Sequence, residues 1–192
     1  MLIPSSRIQQ TPVNWSSRSK RFMNPGELET LITLIGGVSP KGVIEFGINT
    51  GRTAQAILEY VPGIEVYVGI DVPMGYVTAA KVQRGEVPEV PGELVLGDPR
   101  VQLIVREGGS QSVHAGELPY VDAVFIDGDH SRSGVEHDTM LALQRVRQGG
   151  IIIWHDYHNL GTVDVREVLN DKYKRGWDLH HVEGTWIVYM RA

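Results

Sequence analysis

Five acids and two histidines stand at or just past the ends of apolar runs in this chain: Glu45, Asp71, Asp127 with Asp129 and His130, and His155 with Asp156. If Asp127, Asp129 and Asp156 meet at one edge, three carboxylates repel unless they are protonated or neutralised by a cation. Oxygen ligands favour Mg²⁺, or Mn²⁺ and Ca²⁺, over Zn²⁺, and a coordinating His155 moves the preference toward Mn²⁺ or Zn²⁺. The alternative has Asp129 capping the next helix and His155 packed under a loop, which leaves two acids near a ligand. His130 is the evident neutral-pH base of its loop, because an unperturbed imidazole titrates at about pH 6.5. A hydrogen-bonded loop histidine is the competing reading. His114, His137, His158, His180 and His181 have no comparable placement.

The run Glu45-Phe46-Gly47-Ile48-Asn49-Thr50-Gly51 offers a different chemistry. Gly47 and Gly51 accept backbone angles closed to other residues, so the main chain can approach a ligand where a Cβ would clash. Glu45 is expected to accept hydrogen bonds that hold this turn. Asp71 ends the next apolar run and suits the two hydroxyls of a ribose, at about 1.5 to 3 kcal/mol per charge-assisted bond. An acid that merely caps its loop is the alternative. A glycine turn alone is a weak sign of nucleotide binding, and the acid after the following strand strengthens it.

Regular elements must bring these residues together. Asn24-Pro25-Gly26-Glu27 reads as a helix start, with Asn24 as cap and Glu27 placed to bond back; Leu28, Leu31, Ile32 and Ile35 form its buried face, and Gly36-Gly37 end it. After the strand Val43 to Phe46, the residues Ala54, Ile57, Leu58 and Val61 predict a second amphipathic helix, stopped by Pro62-Gly63. Glu65 to Asp71 is the next strand. Residues 73–100 predict a helix near Tyr76 to Arg84 and then loops. Val101 to Val105 is a third strand, followed by Glu107-Gly108-Gly109-Ser110, and Val121 to Ile126 is a fourth. Val135, Thr139, Leu143 and Val146 share a helical face closed by Gly149-Gly150. Ile151 to Trp154 has no polar face, as the middle of a parallel sheet requires. Trp154 and Tyr157 are candidates for an acceptor-pocket wall, with a core role favoured for Trp154. Val165, Val168, Leu169 and Tyr173 make a last helix face, and Trp177 to Val182 with Thr185 to Met190 read as a closing hairpin around Glu183-Gly184.

This order specifies an α/β fold, a doubly wound and mostly parallel seven-stranded sheet with a C-terminal antiparallel hairpin. Open sheets of this kind bind ligands at the carboxyl edge, where the acids above gather. One domain is expected over residues 24–192, preceded by an arm, residues 1–23. The arm's Trp15, Phe22 and Met23 suit a lid or a subunit contact, which would make the protein a homo-oligomer; a loose tail is the alternative. The 192 residues are 42% apolar, with a net charge of -5, which argues against a nucleic-acid surface. There is no cysteine, hence no disulfide or thiolate ligand. No apolar run suits a membrane span or a signal peptide, and a cytoplasmic protein is expected.

Glu45 to Gly51 resembles the first motif of class I S-adenosylmethionine-dependent methyltransferases, and Asp71 resembles their ribose-binding acid. Phe125-Ile126-Asp127-Gly128-Asp129-His130-Ser131 with His155-Asp156 is similar to a small-molecule O-methyltransferase branch that includes sugar, macrolide and catechol-type enzymes. The resemblance covers residues 25–192 and implies a Rossmann-like fold. It places the cofactor on Glu45, Phe46, Gly47, Asn49, Gly51, Asp71, Gly109, Ser110 and Asp127. It carries a divalent cation, Mg²⁺ or another, onto Asp127 and Asp156, with His155 replacing the other member of an acidic pair and Asp129 added by the carboxylate grouping above, and it puts His130 where the catechol-type enzymes have a catalytic lysine. Asn49 replaces a motif glycine, and Gly109 stands where many relatives have an acid. The implied reaction is methylation of a small hydroxylated molecule, with Asp127, Asp156 and His130 as the catalytic group. The sulfonium donor is already activated, so the protein chiefly aligns the reactants and excludes water. A non-catalytic S-adenosylmethionine-binding or assembly protein is the main alternative. A nicotinamide dehydrogenase is weaker, since its G-x-G-x-x-G pattern needs glycine at Asn49 and Arg52.

Overall fold

The computed structural model describes residues 3–16, 18, 23, 25–76, 87–161 and 163–192. The cap expected at Asn24, the arm's Phe22 and most of the helix expected near Tyr76 to Arg84 lie outside the described residues. In chain order the main elements are β1 (Ser5–Ser6), α1 (Pro25–Gly36), β2 (Gly42–Phe46), α2 (Arg52–Tyr60), β3 (Val66–Asp71), β4 (Val101–Val105), β5 (Val121–Ile126), α3 (Arg132–Arg145), β6 (Val146–Trp154), α4 (Val165–Lys174), β7 (His180–Val182) and β8 (Val188–Arg191).

Alternation along the strands divides the core into two layers. In β2 every residue is buried; Val43 joins one layer, and Ile44 and Phe46 join the other. In β5 and β6, Phe125, Ile151 and Ile153 face the first layer, and Val124, Ile126, Ile152 and Trp154 the second. Leu31 and Ile35 of α1 and Ile57 of α2 close the first layer, while Val135 of α3 and Val168 and Leu169 of α4 close the second. Trp154 is a core residue, fully buried, and its Nε1 donates to Thr139 Oγ1 at 3.0 Å.

The sheet order is β1-β7-β8-β6-β5-β2-β3-β4. The five strands from β6 to β4 are parallel, and β8 runs antiparallel to both β6 and β7. Chain direction along the sheet reverses between β2 and β5, which is where open sheets of this type form a ligand cleft. Among the described residues no helix is long and apolar enough to cross a membrane.

The structure departs from the sequence reading in several places. The sheet has eight strands, not seven, because the arm supplies β1, parallel to β7 through Ser5↔His181 and Ser6↔Val182. Two residues are too few to display a period, and only the partner strand defines this one. Beyond β1 the arm lies along α1 and α2: Gln10 Nε2 donates to Thr30 Oγ1 at 2.8 Å, Trp15 Nε1 to Glu29 Oε1 at 2.6 Å, and Asn14 N to the Tyr60 hydroxyl at 2.8 Å. Val146 belongs to β6, not to α3, and Gly149-Gly150 lie inside that strand. A bulge absorbs the glycines, since Val121 pairs with Val146 while Ala123 pairs with Ile151. The hairpin strands are shorter than expected, because Thr185 Oγ1 accepts from Ile187 N and keeps that stretch in the turn. The helix-start partner expected for Glu27, Asn24, lies outside the described residues. Glu27 Oε1 accepts from Trp186 N at 2.9 Å.

Candidate active site

The loops after β2, β3, β4 and β5 wall a cleft of about 890 Å³, open mouth included. Phe46, Gly47, Asn49, Asp71, Gly109, Ser110, Asp127 and Asp129 line it together with His130. Glu45 and Gly51 are not on this wall among the described residues. Glu45 is buried one layer down, where its Oε2 accepts from the Tyr67 hydroxyl at 2.8 Å. Burial raises its pKa well above the ordinary carboxyl value, against the Tyr67 bond and with added repulsion from Asp127 and Asp71. Gly51 caps α2 in the left-handed region, with φ of 84°.

Gly47 (φ 86°) serves a tighter purpose than ligand approach. A Cβ there would overlap the carbonyl oxygen of Asp127, so the glycine lets the loops after β2 and β5 touch. Asn49 takes φ of 49°, a conformation asparagine tolerates better than most side chains, and its N–H donates to Asp71 Oδ2 at 2.6 Å. Asp71 Oδ1 accepts from Val72 N at 2.7 Å. Asp71 therefore both ties down the turn and faces the cleft, and each oxygen keeps a lone pair for a ribose hydroxyl. Burial raises its pKa, the two backbone bonds oppose this, and Asp127 adds to it.

Past the loop after β5 lies a cluster of carboxylates and imidazoles. Asp127, His130 and Asp156 each offer a ligand atom, and the three atoms lie within 4.8 Å of one another. His130 Nε2 stands 3.4 Å from Asp127 Oδ1 and 3.2 Å from Asp156 Oδ2. Burial opposes its positive form, but the bond and charge of Asp127 and the charge of Asp156 outweigh this and raise its pKa. His155 is buried behind the carboxylates, with Nδ1 3.3 Å from Asp127 Oδ1 and Nε2 3.4 Å from Glu27 Oε2. Burial again opposes the charge, yet Asp127, Glu27 and Asp156 lift His155 well above the ordinary histidine value. Both of its ring nitrogens face carboxylates, Nδ1 toward Asp127 and Nε2 toward Glu27. Asp127, despite burial, is held below the ordinary carboxylate range by His155 and His130.

Asp129 is not in the converging set. Its Oδ1 accepts from Ser131 N at 2.9 Å, and its side chain fills the space beside Gly134, while Ser131 Oγ caps α3 by accepting from Gly134 N at 3.2 Å. Sequence reasoning missed three polar partners. His158, two residues past Asp156, has Nε2 3.0 Å from Asp156 Oδ1; its Nδ1 accepts from Leu160 N, which leaves the proton on Nε2 in the neutral ring. The run His155-Asp156-Tyr157-His158 was the available cue. Glu27 and Asp138, each on a mostly apolar helix face, gave no such sign.

The comparisons with known proteins agree with this geometry. Residues 44–157 match the family model described as a methyltransferase domain. No curated protein matches the chain by sequence. Among solved structures, the O-methyltransferase NovP is 15% identical, with a TM-score of 0.65 over 93% of this chain and 84% of that one. The SAH-bound methyltransferase PaMTH1 of Podospora anserina is 17% identical, with a TM-score of 0.60 over 88% and 79%. The cofactor-bound protein Rv0187 from MTB is 17% identical, with a TM-score of 0.62 over 90% and 82%. By the span of its family match the chain belongs to the methyltransferase-domain family, and it is a class I S-adenosylmethionine-dependent methyltransferase.

Proposed function

We propose that the enzyme transfers the methyl group to an oxygen of a small hydroxylated molecule, which enters beside His130. The observation that carries this reading is the position of the His130 ring, between Asp127 and Asp156 at the reacting end of the cofactor cleft. The acceptor oxygen attacks the methyl carbon, the carbon–sulfur bond breaks, and S-adenosylhomocysteine leaves uncharged. His130 Nε2 takes the acceptor's proton, and the two neighbouring carboxylates stabilise the imidazolium that forms. His155, held by Glu27 from behind, offsets the charge of Asp127 so that the two acids can stand close in a buried place. A cytoplasmic setting suits the cysteine-free composition.

A specific observation favours metal assistance as a second reading. Asp127, His130 and Asp156 present two oxygens and one nitrogen to a common point, a donor set that suits Mn²⁺ or Mg²⁺. Those residues would hold the cation, which supplies a Lewis acid favouring the ionised acceptor. One experiment tests both readings, using a mixed library of hydroxylated acceptors and mass detection of the methylated product. His130→Ala is expected to lower the rate by about 10²- to 10⁴-fold with S-adenosylhomocysteine affinity unchanged. Loss of transfer in chelator, restored by Mg²⁺ or Mn²⁺, selects the cation; full activity in excess chelator leaves His130 as the base acting alone. No methylated oxygen anywhere in a broad library would sink the acceptor class.

A further inference from the structure

Asp156 is a non-glycine residue in the left-handed region, with φ of 58°. Such a conformation carries strain and persists only where the surroundings over-determine it. The sheet does not hold it, because β6 ends at Trp154 and the last rung beyond it is His155 N donating to Ile126 O at 3.1 Å. The carboxylate is free to change rotamer and leave His130 unless a side chain fixes it.

His158 makes that contact. Its N–H donates to Asp156 O at 2.7 Å, and its ring turns back so that Nε2 meets Asp156 Oδ1 at 3.0 Å. His155 Nδ1 lies farther from that oxygen, at 3.6 Å, and closer to Asp127. Asp156 Oδ2 is thereby left facing His130 Nε2 at 3.2 Å. The His158 ring is itself held on two sides. Nδ1 accepts from Leu160 N at 3.0 Å, which assigns the proton to Nε2, and the Trp186 ring packs edge-on, with centroids 4.2 Å apart and planes at 60°. Trp186 is anchored in turn through its backbone: its carbonyl accepts from Tyr157 N and its N–H donates to Glu27 Oε1, each at 2.9 Å. The two ring nitrogens of His158 thus do different work, Nδ1 for the turn and Nε2 for the acid.

We infer that His158 is a positioning residue for methyl transfer, holding Asp156 by Oδ1 so that Oδ2 is presented beside His130. The inference rests on the reading of Asp156 as part of the reacting group. A histidine that merely closed the turn would need Nδ1 alone.

Two variants separate the nitrogens. His158→Asn puts an amide oxygen near the place of Nδ1, which keeps the bond from Leu160 N but does not reach Asp156. His158→Gln is one bond longer, so its amide nitrogen restores a donor to Asp156 and gives up the acceptor for Leu160. Crystal structures read the acid directly. In His158→Asn the Asp156 carboxylate should have turned away from His130, because its unpaired oxygen takes another donor, and in His158→Gln it should remain. With an acceptor from the hydroxylated library, His158→Asn should lower kcat by about ten- to a hundred-fold at unchanged donor KM, and His158→Gln should recover most of that loss. S-adenosylhomocysteine affinity equal to wild type in both variants sets positioning apart from a general loss of fold. An Asp156 carboxylate that stays beside His130 in His158→Asn overturns the inference, and so does a His158→Gln variant as slow as His158→Asn. If wild-type protein methylates no oxygen, the acceptor class fails first, and the two structures still decide whether His158 orients Asp156.

Discussion

The two ends of the cleft hold their carboxylates by different means. At the cofactor end, Asp71 is fixed by backbone N–H groups, one from its own chain neighbour Val72 and one from Asn49 on the adjoining turn. At the reacting end, Asp127 is surrounded by side chains, with His130 from its own loop and His155 from just past β6, and His155 is backed in turn by Glu27 from α1. Backbone donors are neutral and come with the strand ends, so the first arrangement forms as soon as β2 and β3 pair. The second brings together charges from separate elements and is stable only when all of them arrive, since a lone buried charge is costly. The cofactor end is therefore local and rigid, and the reacting end depends on the completed fold.

Gly47 is where the two ends touch, and changing it should have the largest effect. In Gly47→Val the new Cβ overlaps the Asp127 carbonyl, and the residue must also hold a left-handed φ. Overpacking against backbone and a strained conformation together should cost more than about 4 kcal/mol. Denaturant unfolding should show this loss, with S-adenosylhomocysteine binding lost as well. A variant that unfolds like wild type while losing only ligand affinity would mean that Gly47 serves the ligand alone, and the two ends would then be independent.

A smaller effect should come from Asp138, the buried acid that neither arrangement satisfies in the free protein. Its folded pKa of about 7 lies above the usual carboxyl value of 3.8. The folded state thus holds a proton that the unfolded chain has released, and stability falls as pH rises from the lower value to the higher and stays down beyond it. Asp129, His130 and Ser110 are the groups whose influence it feels. Asp138→Asn removes the titration. Between pH 5 and pH 8 the free variant should gain about 2 to 3 kcal/mol relative to wild type. Parallel pH profiles of unfolding free energy would show that Asp138 is already satisfied without ligand.

The same contrast governs what the sequence disclosed. Gly47, Asn49 and Asp71 sit in one strand–turn–helix unit and the strand after it, so their spacing alone set them at one edge. The parallel core strands were equally legible, because Ile44, Val124 and Ile152 lie in apolar runs whose burial the sheet requires. The β1–β7 pairing was hidden, since Ser5 and Ser6 carry no pattern and bond only to a strand near the other end of the chain. Asp138 and Glu27 were hidden for a related reason. Each occupies a helix position between apolar neighbours, and nothing near it in sequence marks the cleft or His155 as its counterpart. Asp129 stood in the right motif, but Ser131 N, two residues on, engages its carboxylate.

The smallest effect, and the sharpest test of the local arrangement, concerns Asp71. Both of its oxygens accept from backbone N–H groups, at 2.6 Å from Asn49 and 2.7 Å from Val72. An asparagine at this position would have to turn its NH₂ toward one of those donors, so the substitution that is usually mildest leaves two N–H groups facing each other. Asp71→Asn is therefore expected to weaken S-adenosylhomocysteine binding about as much as Asp71→Ala does, by roughly ten- to a hundred-fold, from lost ribose bonds and a loosened turn. Asp71→Glu should do no better, because the longer chain carries the carboxylate past both donors. Methyl transfer at saturating donor should change little, since Asp127, His130 and Asp156 do not contact this turn through Asp71. If Asp71→Asn instead binds like wild type, the turn is held by something other than these two bonds, and the cofactor end is less local than its geometry suggests.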